Sequence, residues 1–320
     1  MSTSTVWTRR VFSEIARARP RRLLVVADGP RAGREGEAAR CEEARAVVRR
    51  VDWDCELLTN FADENMGCKR RVSTGLDWVF GTCEEAIILE DDCLPDPTFF
   101  PFCEELLEKF RDDERVAMVC GNNFQRGRRR SQYSYYFSRH VTVWGWASWR
   151  RVWRHYDVGM RLWPELRETN WLESLLVNPV MVEYWRGVFD MMHEGTAERA
   201  DTWDYQLFFA WWARGALAVT PEVNLVTNVG FGADATHTRD AAALSTMAEL
   251  PSAPVELPLR HPPYLYLDRE ADHFAFRQIC PWIVENQSLY WRARHRLSSA
   301  LPAPLRQSVR NLKSKLTAAR

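Results

Sequence analysis

The sequence predicts an α/β protein in which a mixed, mostly parallel sheet is flanked by helices. Short apolar runs occupy residues 23–27, 86–89 and 116–120, and amphipathic, helix-like segments separate them. Such runs are typical of strands that are buried on both faces of a parallel sheet. With 46% hydrophobic residues, a chain of 320 residues can bury a large core, so one large domain is expected.

Composition excludes several functional classes. Basic and acidic residues balance at 43 each, so no overall field directs the protein to nucleic acid. The eight cysteines include no C-x-x-C pair, which argues against a zinc site or a disulfide framework. No apolar run approaches the length of a membrane-spanning helix, and we expect a cytoplasmic protein.

An acidic triplet, Glu90, Asp91 and Asp92, directly follows the apolar run that ends at Leu89. Ligands of open α/β sheets bind beyond the carboxyl ends of the strands, so these acids are placed to face a ligand. A divalent cation would relieve the repulsion between adjacent carboxylates, and hard oxygen ligands favour Mg²⁺ or Mn²⁺. Judged alone, the triplet is equally consistent with a solvated loop.

A tryptophan-rich segment offers a second candidate site, since four tryptophans surround Gly145, at positions 144, 146, 149 and 153. Such a stretch more often belongs to a core. Glycine, however, lets a backbone approach a ligand closely, and sugars stack on indole faces such as that of Trp146. Further along, the polar loop after residue 120 carries a run of arginines, Arg126, Arg128, Arg129 and Arg130, which predicts either a solvated loop or contact with an anionic acceptor or diphosphate.

The segment ADTWDYQLFFAWW supplies two candidate bases, Asp201 and Asp204. Their spacing of three places both on one face of a helix that begins at Thr202. A carboxylate beside an apolar wall is expected to have its pKa raised into the range of a general base. Asp201 is also placed to cap the helix, which leaves Asp204 as the better base and Asp201 as the next choice.

Four elements occur in the order found in glycosyltransferases of the GT-A fold: Asp28-Gly29-Pro30, the E-D-D triplet, the G-W segment, and W-D-Y-Q through His237. The stretch LEDDCLPDPTFFPFCEELLEKF resembles the acidic-motif region of the bacterial hemolytic-protein-like glycosyltransferases, with N-acetylglucosaminyltransferase I as a more distant relative. The resemblance covers about residues 8–275.

This resemblance implies a role for each candidate residue. Asp92 and His237 would hold Mn²⁺ or Mg²⁺, and Asp204 would be the catalytic base, with Asp201 as the substitute. Residues expected to contact the nucleotide-sugar donor are Asp28, Gly29, Asn65, Arg70, Glu90, Asp91, Gly145 and Trp146. The sequence alone assigns Asp28 to an ordinary turn and Arg70 to an exposed helix start.

The implied activity is metal-dependent, inverting transfer of a sugar from a nucleoside diphosphate to a hydroxyl of a glycan, a lipid-linked acceptor or a small molecule. Two alternatives stay open. A sugar-1-phosphate nucleotidyltransferase uses a similar fold, but its G-x-G-x-R loop is not found in the sequence. A non-catalytic carbohydrate- or partner-binding protein of this fold is the other, because a fold does not establish a function.

The resemblance, together with a proline-rich stretch after residue 250 and the basic carboxyl terminus, sets the expected domain boundaries. Residues 1–250 would form the GT-A-like domain and 251–289 an extended strap. Residues 290–320 would form a basic tail, disordered or amphipathic, with eight Lys or Arg and no acid. Such a tail can contact the anionic inner face of a membrane.

The amino-terminal part differs from the family pattern. The family opens with an apolar strand ahead of the helix that TRRVFSEIARAR matches, and here only MSTSTVW precedes that helix. We therefore expect the first strand to be missing and one edge of the strand at 23–27 to be unpaired.

Overall fold

Strands and helices alternate through the first half of the chain, as the apolar runs predict. The computed structural model describes residues 3–176, 178–195, 200–230 and 250–280. Its strands are β1 (Arg22–Ala27), β2 (Glu56–Phe61), β3 (Glu85–Ile88), β4 (Cys93–Pro95), β5 (Val116–Cys120), β6 (Tyr135–Ser138), β7 (Trp146–Trp149), β8 (Leu217–Pro221) and β9 (Val226–Asn228).

Ten α-helices lie among the described residues. They are α1 (Thr3–Ala18), α2 (Glu37–Arg45), α3 (Cys68–Thr82), α4 (Phe99–Lys109), α5 (Arg150–Trp153), α6 (Trp163–Arg167), α7 (Trp171–Leu176), α8 (Pro179–Glu194), α9 (Asp204–Trp212) and α10 (Arg269–Ile279). A 3₁₀ helix, Ala46–Arg50, continues α2.

The central sheet has five strands in the order β3-β7-β5-β8-β6. Only β5 and β8 run parallel within it, and the other three pairings are antiparallel. The predicted mixed α/β architecture is confirmed, but the prediction of a mostly parallel sheet is wrong. The difference comes from β6 and β7, four-residue strands from aromatic segments that lack the apolar, β-branched pattern of a strand buried between helices.

Several of the loops that contain the candidate residues lie at one edge of this sheet. Because β7 is antiparallel to both β3 and β5, the strands β3, β5 and β8 all point the same way. Their carboxyl ends therefore share an edge, which we call the carboxyl edge. A short antiparallel pair, β4 with β9, lies just beyond β3 and joins Cys93 to Asn228.

The strands β1 and β2 form a separate parallel pair. Within the described part of the chain, β1 pairs only with β2 and β3 pairs only with β7, so each has one open edge, as expected for β1. Their side chains are only half-buried, whereas every residue of β5 is buried. The buried Arg71 ties the pair to α3 by donating to the carbonyl of Ala27 at 3.1 Å and to Oδ1 of Asn60 at 2.9 Å.

Buried aromatic rings form a layer beneath the carboxyl edge, called here the aromatic layer. Trp146 is fully buried and stacks on Trp203, with ring centroids 5.8 Å apart. Trp185 of α8 meets Trp212 of α9 edge to face at 4.7 Å. Buried aromatic pairs of this kind contribute about 0.5–1.5 kcal/mol each beyond the area they bury, so this layer holds α8 and α9 firmly against the sheet.

The segment that follows residue 250, called here the strap, lies across the carboxyl edge in an extended conformation. The amide of Val255 donates to Oγ1 of Thr98 at 3.1 Å. Further along, the amide of Arg260 donates to Oγ of Ser134 at 2.8 Å, and the amide of Ser134 donates to the carbonyl of Arg260 at 2.9 Å. These bonds fasten the strap to the start of α4 and to β6.

The prediction that residues 251–289 are extended is wrong for Arg269–Ile279, which form α10, and residues 281–289 of this prediction lie outside the described residues. The Asp268 side chain accepts the amide of Ala271 at 2.9 Å and so caps the helix. The expected basic tail at 290–320 lies outside the described residues. In the parts of the chain that are described, no helix is long and apolar enough to cross a membrane.

The docking of α10 on β6 generates a prediction about pH. Burial raises the pKa of Asp272 to about 6, although its carboxylate accepts from Oγ of Ser138, and burial lowers the pKa of His140 to about 4, with the nearby His273 acting in the same direction. Asp272 therefore stabilises the fold when protonated, and that contribution is lost as pH rises from about 4 to 6. His140 stabilises the fold when neutral, and its contribution is lost as pH falls from about 6.5 to 4.

The two slopes oppose each other, so we expect their contributions to cancel in the wild type between pH 4 and 6. Relative to wild type, the free energy of unfolding of Asp272→Asn should rise with pH over this range, and that of His140→Gln should fall. Each change should reach about 3 kcal/mol relative to wild type. Urea denaturation at half-unit pH intervals measures both slopes, and parallel curves for the three proteins would contradict the assignment.

Candidate functional site

A tight turn at the end of β3 brings three potential metal ligands together. The amide of Cys93 donates to the carbonyl of Glu90 at 3.1 Å and closes the turn. As a result, side-chain ligand atoms of Glu90, Asp92 and Cys93 lie within 4.8 Å of one another. Two carboxylates suit Mn²⁺ or Mg²⁺, and the thiol adds a softer ligand that Mn²⁺ tolerates better than Mg²⁺ does. The residues present therefore fit a divalent cation.

Electrostatics at this turn favour a cation. Burial raises the pKa of Glu90 to about 8, and the charges of three neighbouring carboxylates add to the effect, those of Asp92, Asp204 and Asp91. Burial, followed by the charge of Asp91, also raises the pKa of Asp92. Both shifts reflect the cost of burying negative charge and of crowding it, and a bound cation would offset that cost.

The strand β9 holds Asp92 in place. The carbonyl of Asp92 accepts the amide of Val229 at 2.8 Å, and the amide of Gly230 donates to Oδ1 of Asn228 at 2.8 Å. A Cβ at Gly230 would lie 2.0 Å from Oδ2 of Asp92, so only glycine leaves the carboxylate in this position. The sequence-based reasoning missed Asn228 and Gly230 because nothing in their local pattern shows that β9 pairs with β4.

The loops after β1 and β2 meet around Asp28. Its Oδ1 accepts the amides of Gly29 and Met66, both at 2.9 Å, and its Oδ2 accepts Nδ2 of Asn65 at 2.9 Å. A Cβ at Gly29 would lie 2.5 Å from the backbone of Glu64, which explains the glycine. The predicted group of Asp28, Gly29 and Asn65 is thus brought together, with the Asp28 carboxylate building the loop.

Arg70 and its neighbour Arg71 have different environments. Arg70 is exposed on the first turn of α3, next to the Asp28 loop, where a ligand can reach it. Arg71 is buried beneath that loop and bonds backbone carbonyls. The position predicted for donor contact is therefore the accessible one.

Asp201 caps a helix other than the one predicted. The helix α9 begins at Asp204, so Asp201 and Asp204 do not share a helical face. Instead the Asp201 carboxylate accepts the amides of Cys68 at 3.2 Å and Lys69 at 3.0 Å, at the start of α3. Gly67, with φ 78°, makes room for it. The Asp201 carboxylate thus holds the start of α3 in place, and its use as a base instead of Asp204 stays a prediction.

The predicted acids converge around one thiol, that of Cys68. Burial raises the pKa of Cys68 to about 12, and the charges of four carboxylates add to this shift, those of Glu90, Asp201, Asp204 and Asp28. These acids come from three separate segments of the chain, since Asp201 and Asp204 lie three residues apart. Asp204 is half-buried at the first residue of α9, and its charge acts on Glu90 as well. The structure thus places Asp204 beside the acidic turn.

Gly145 and Trp146 support the carboxyl edge from beneath, and their predicted contacts with a sugar are wrong. Trp146 is completely buried, so its indole has no face to offer. Gly145, with φ 68°, is also buried; its carbonyl accepts the amide of Gly121 at 2.7 Å, and a Cβ there would lie 2.6 Å from the Val226 side chain. The close approach that this glycine permits is to Val226.

Two further predicted residues have different outcomes. Asp91 is exposed at the tip of the turn, where Oγ1 of Thr8 donates to its Oδ2 at 3.3 Å. His237 lies outside the described residues. Cys93 was not predicted as a ligand, although its position directly after the triplet was the signal that it could join the cluster.

In comparisons with known proteins, no family model and no curated protein matches this chain. Interpretation of the site therefore depends on its geometry. The site combines three features: the potential metal ligands Glu90, Asp92 and Cys93, the half-buried Asp204 carboxylate at the start of α9, and the Asp28 loop beside the start of α3. Together these can bind a cation with an anionic ligand and present a base to it.

Gly230 provides a test of the metal cluster that leaves its ligands unchanged. Gly230→Ala should lower Mn²⁺ affinity at least tenfold, because the added methyl group displaces the Asp92 carboxylate. Gly187→Ala is the matched control, since a Cβ at this exposed position in α8 meets nothing within 4 Å. The control should bind Mn²⁺ normally and gain up to about 1 kcal/mol in stability. Titration of free Mn²⁺ by electron paramagnetic resonance measures both, and equal affinities would rule out Asp92 as a ligand.

Proposed function

We propose that this protein is a metal-dependent glycosyltransferase of the GT-A type, which moves a sugar from a nucleoside diphosphate to an acceptor hydroxyl. The observation that carries the proposal is that carboxylates from three segments of the chain act on one thiol, that of Cys68, next to a turn with three potential metal ligands. A crowded acidic pocket of this kind is suited to a polyanion only if a cation accompanies it, as a diphosphate is accompanied by Mn²⁺ or Mg²⁺.

Glu90, Asp92 and Cys93 are the described residues that would hold the cation, and His237 is proposed as a further ligand. When bound, the cation supplies charge stabilisation for the diphosphate leaving group. Asp91, which is exposed at the tip of the turn, would accept hydrogen bonds from ribose hydroxyls. The loop of Asp28 and Asn65, with the exposed guanidinium of Arg70 beside it, would bind the nucleotide.

Asp204 is the proposed base. It would take the proton from the acceptor hydroxyl as that oxygen attacks the anomeric carbon, in a single displacement that inverts the configuration. Two features suit this carboxylate to proton abstraction. It lies beside Glu90, and it is half-buried between the acidic turn and the aromatic layer. The Thr202 hydroxyl donates to its Oδ1 and fixes the orientation of the carboxylate.

The nucleotide-binding part of the proposal is tested with a panel of nucleotide-sugars. We expect at least one of them to raise the melting temperature of the full chain in the presence of Mn²⁺ and not in the presence of EDTA. Asp92→Asn should abolish the Mn²⁺-dependent shift, because it removes a charged ligand. A panel without any metal-dependent shift would overturn the proposal and favour a protein that binds carbohydrate without catalysis.

The base is tested by comparing two aspartates of the same segment. Asp204→Asn should lower turnover of the stabilising nucleotide-sugar by about 10² to 10⁴, with nucleotide affinity unchanged, because only the chemical step loses a participant. Asp201→Asn should keep turnover within a few-fold and lose about 1 kcal/mol of stability, as a weakened cap would. Release of nucleoside diphosphate is the readout. The reverse pattern, with Asp201 the sensitive position, would contradict the assignment.

A further inference from the structure

A second concave site lies on the same edge of the sheet, between the loop that follows β5, the end of β8 and the strap. It encloses about 580 Å³, within the range of about 300–1,000 Å³ typical of pockets for small ligands. Asn123, Ser134, Glu222 and Asn224 form its buried polar lining. Residues 250–256 of the strap close one side. None of the residues proposed above for nucleotide or cation binding lines this cavity.

The cavity has a small positive charge at its mouth. Three guanidinium groups line it, those of Arg126, Arg129 and Arg260, against two carboxylates, those of Glu222 and Glu256. Glu256 bonds Arg260, and Glu222 accepts the amide of Arg130 at 2.8 Å and Oγ of Ser131 at 3.0 Å. Within the described residues, no carboxylate pairs with Arg129. One net positive charge matches a monoanion such as a carboxylate better than a dianionic phosphate.

Tyrosine rings continue the cavity wall to the surface. Tyr133 lines the cavity and meets Tyr264 edge to face, with ring centroids 5.8 Å apart. Tyr264 in turn contacts Tyr266 at 5.0 Å, and these two side chains are 46% and 57% exposed. Exposed aromatic faces with a polar rim are the surface on which the C–H faces of sugar rings stack.

The cavity and the acidic turn are joined by one short piece of chain. Asn224 lines the cavity, and the Asn228 side chain hydrogen-bonds the Asp92 carboxylate. Four residues of extended backbone span at most about 14 Å, which limits the distance between Asn224 and Asn228. Both sites open at the carboxyl edge, because β3, β5 and β8 end there. A chain-like acceptor bound at the cavity can therefore extend along the edge toward Asp204.

From these observations we infer that the cavity, with the ridge formed by Tyr133, Tyr264 and Tyr266, binds a carboxylate-bearing sugar residue of the acceptor, a hexuronic acid in a glycan chain. Its role as an acceptor site rests on the proposed function, but the binding itself does not. Arg129 recognises the carboxylate by a charge-assisted hydrogen bond, and the tyrosine ridge holds the neighbouring sugar rings. The bound residue lies away from the reacting hydroxyl, so it contributes affinity and not chemistry.

Calorimetry on the full chain tests the inference with tetragalacturonate as the acidic probe and maltotetraose as the neutral one. Tetragalacturonate should bind, and maltotetraose should bind at least tenfold more weakly. Arg129→Gln should weaken tetragalacturonate binding about tenfold. Arg128→Gln is the matched control, because this neighbouring guanidinium lies over the Phe274 ring, 4.2 Å from its centroid, and does not line the cavity. It should change the affinity by no more than about twofold.

Three results would overturn the inference: no binding of tetragalacturonate, equal binding of the two oligosaccharides, or equal effects of the two arginine substitutions. The Mn²⁺-dependent shift with nucleotide-sugars is measured on the same Arg129→Gln protein and should be unchanged. If tetragalacturonate binds and no nucleotide-sugar does, the cavity assignment stands while the transferase proposal fails. If a nucleotide-sugar binds and tetragalacturonate does not, the cavity assignment fails while the transferase proposal stands.

Discussion

Repulsion among carboxylates at the carboxyl edge is the constraint on which the rest of the site depends. Glu90, Asp92 and Asp204 lie close enough for their charges to oppose one another, and burial strengthens the effect. Other contacts must stabilise the positions of these carboxylates against their mutual repulsion. Here the turn closed by Cys93, the pairing of β4 with β9 and the absence of a side chain at Gly230 supply those contacts.

On the other side of the site, backbone amides hold two further carboxylates in place. Asp28 accepts two amides and the Asn65 amide group, and Asp201 accepts two amides at the start of α3. These bonds tie the start of α3 to the Asp28 loop and to the segment that precedes α9. The carboxylates of the site therefore include some, those of Asp28 and Asp201, that shape the loops, and others, those of Asp92 and Asp204, to which we assign the proposed roles in ligand binding and catalysis.

A local rule, acids after an apolar strand, located the acidic turn. The Asp28 loop was singled out by its order in the resemblance to glycosyltransferases, since local patterns alone indicated an ordinary turn, and that order supported the choice of Asp204 in a helix expected to begin at Thr202. Sequence-based reasoning failed where the outcome depends on a distant partner. Asp201 caps α3 across a separation of more than 130 residues, and the burial of Trp146 depends on Trp203. The antiparallel strands β6 and β7 were missed because short aromatic segments lack the periodicity of a strand.

Crystallographic localisation of Mn²⁺ by its anomalous scattering, in the full chain with a nucleoside diphosphate, tests the central claim most directly. We predict one ion at the acidic turn, in contact with the Asp92 carboxylate and with phosphate oxygens, and the nucleotide between that turn and the loop of Asp28 and Asn65. An ion bound elsewhere while the acidic turn holds only water, or a nucleotide bound away from both elements, would contradict it.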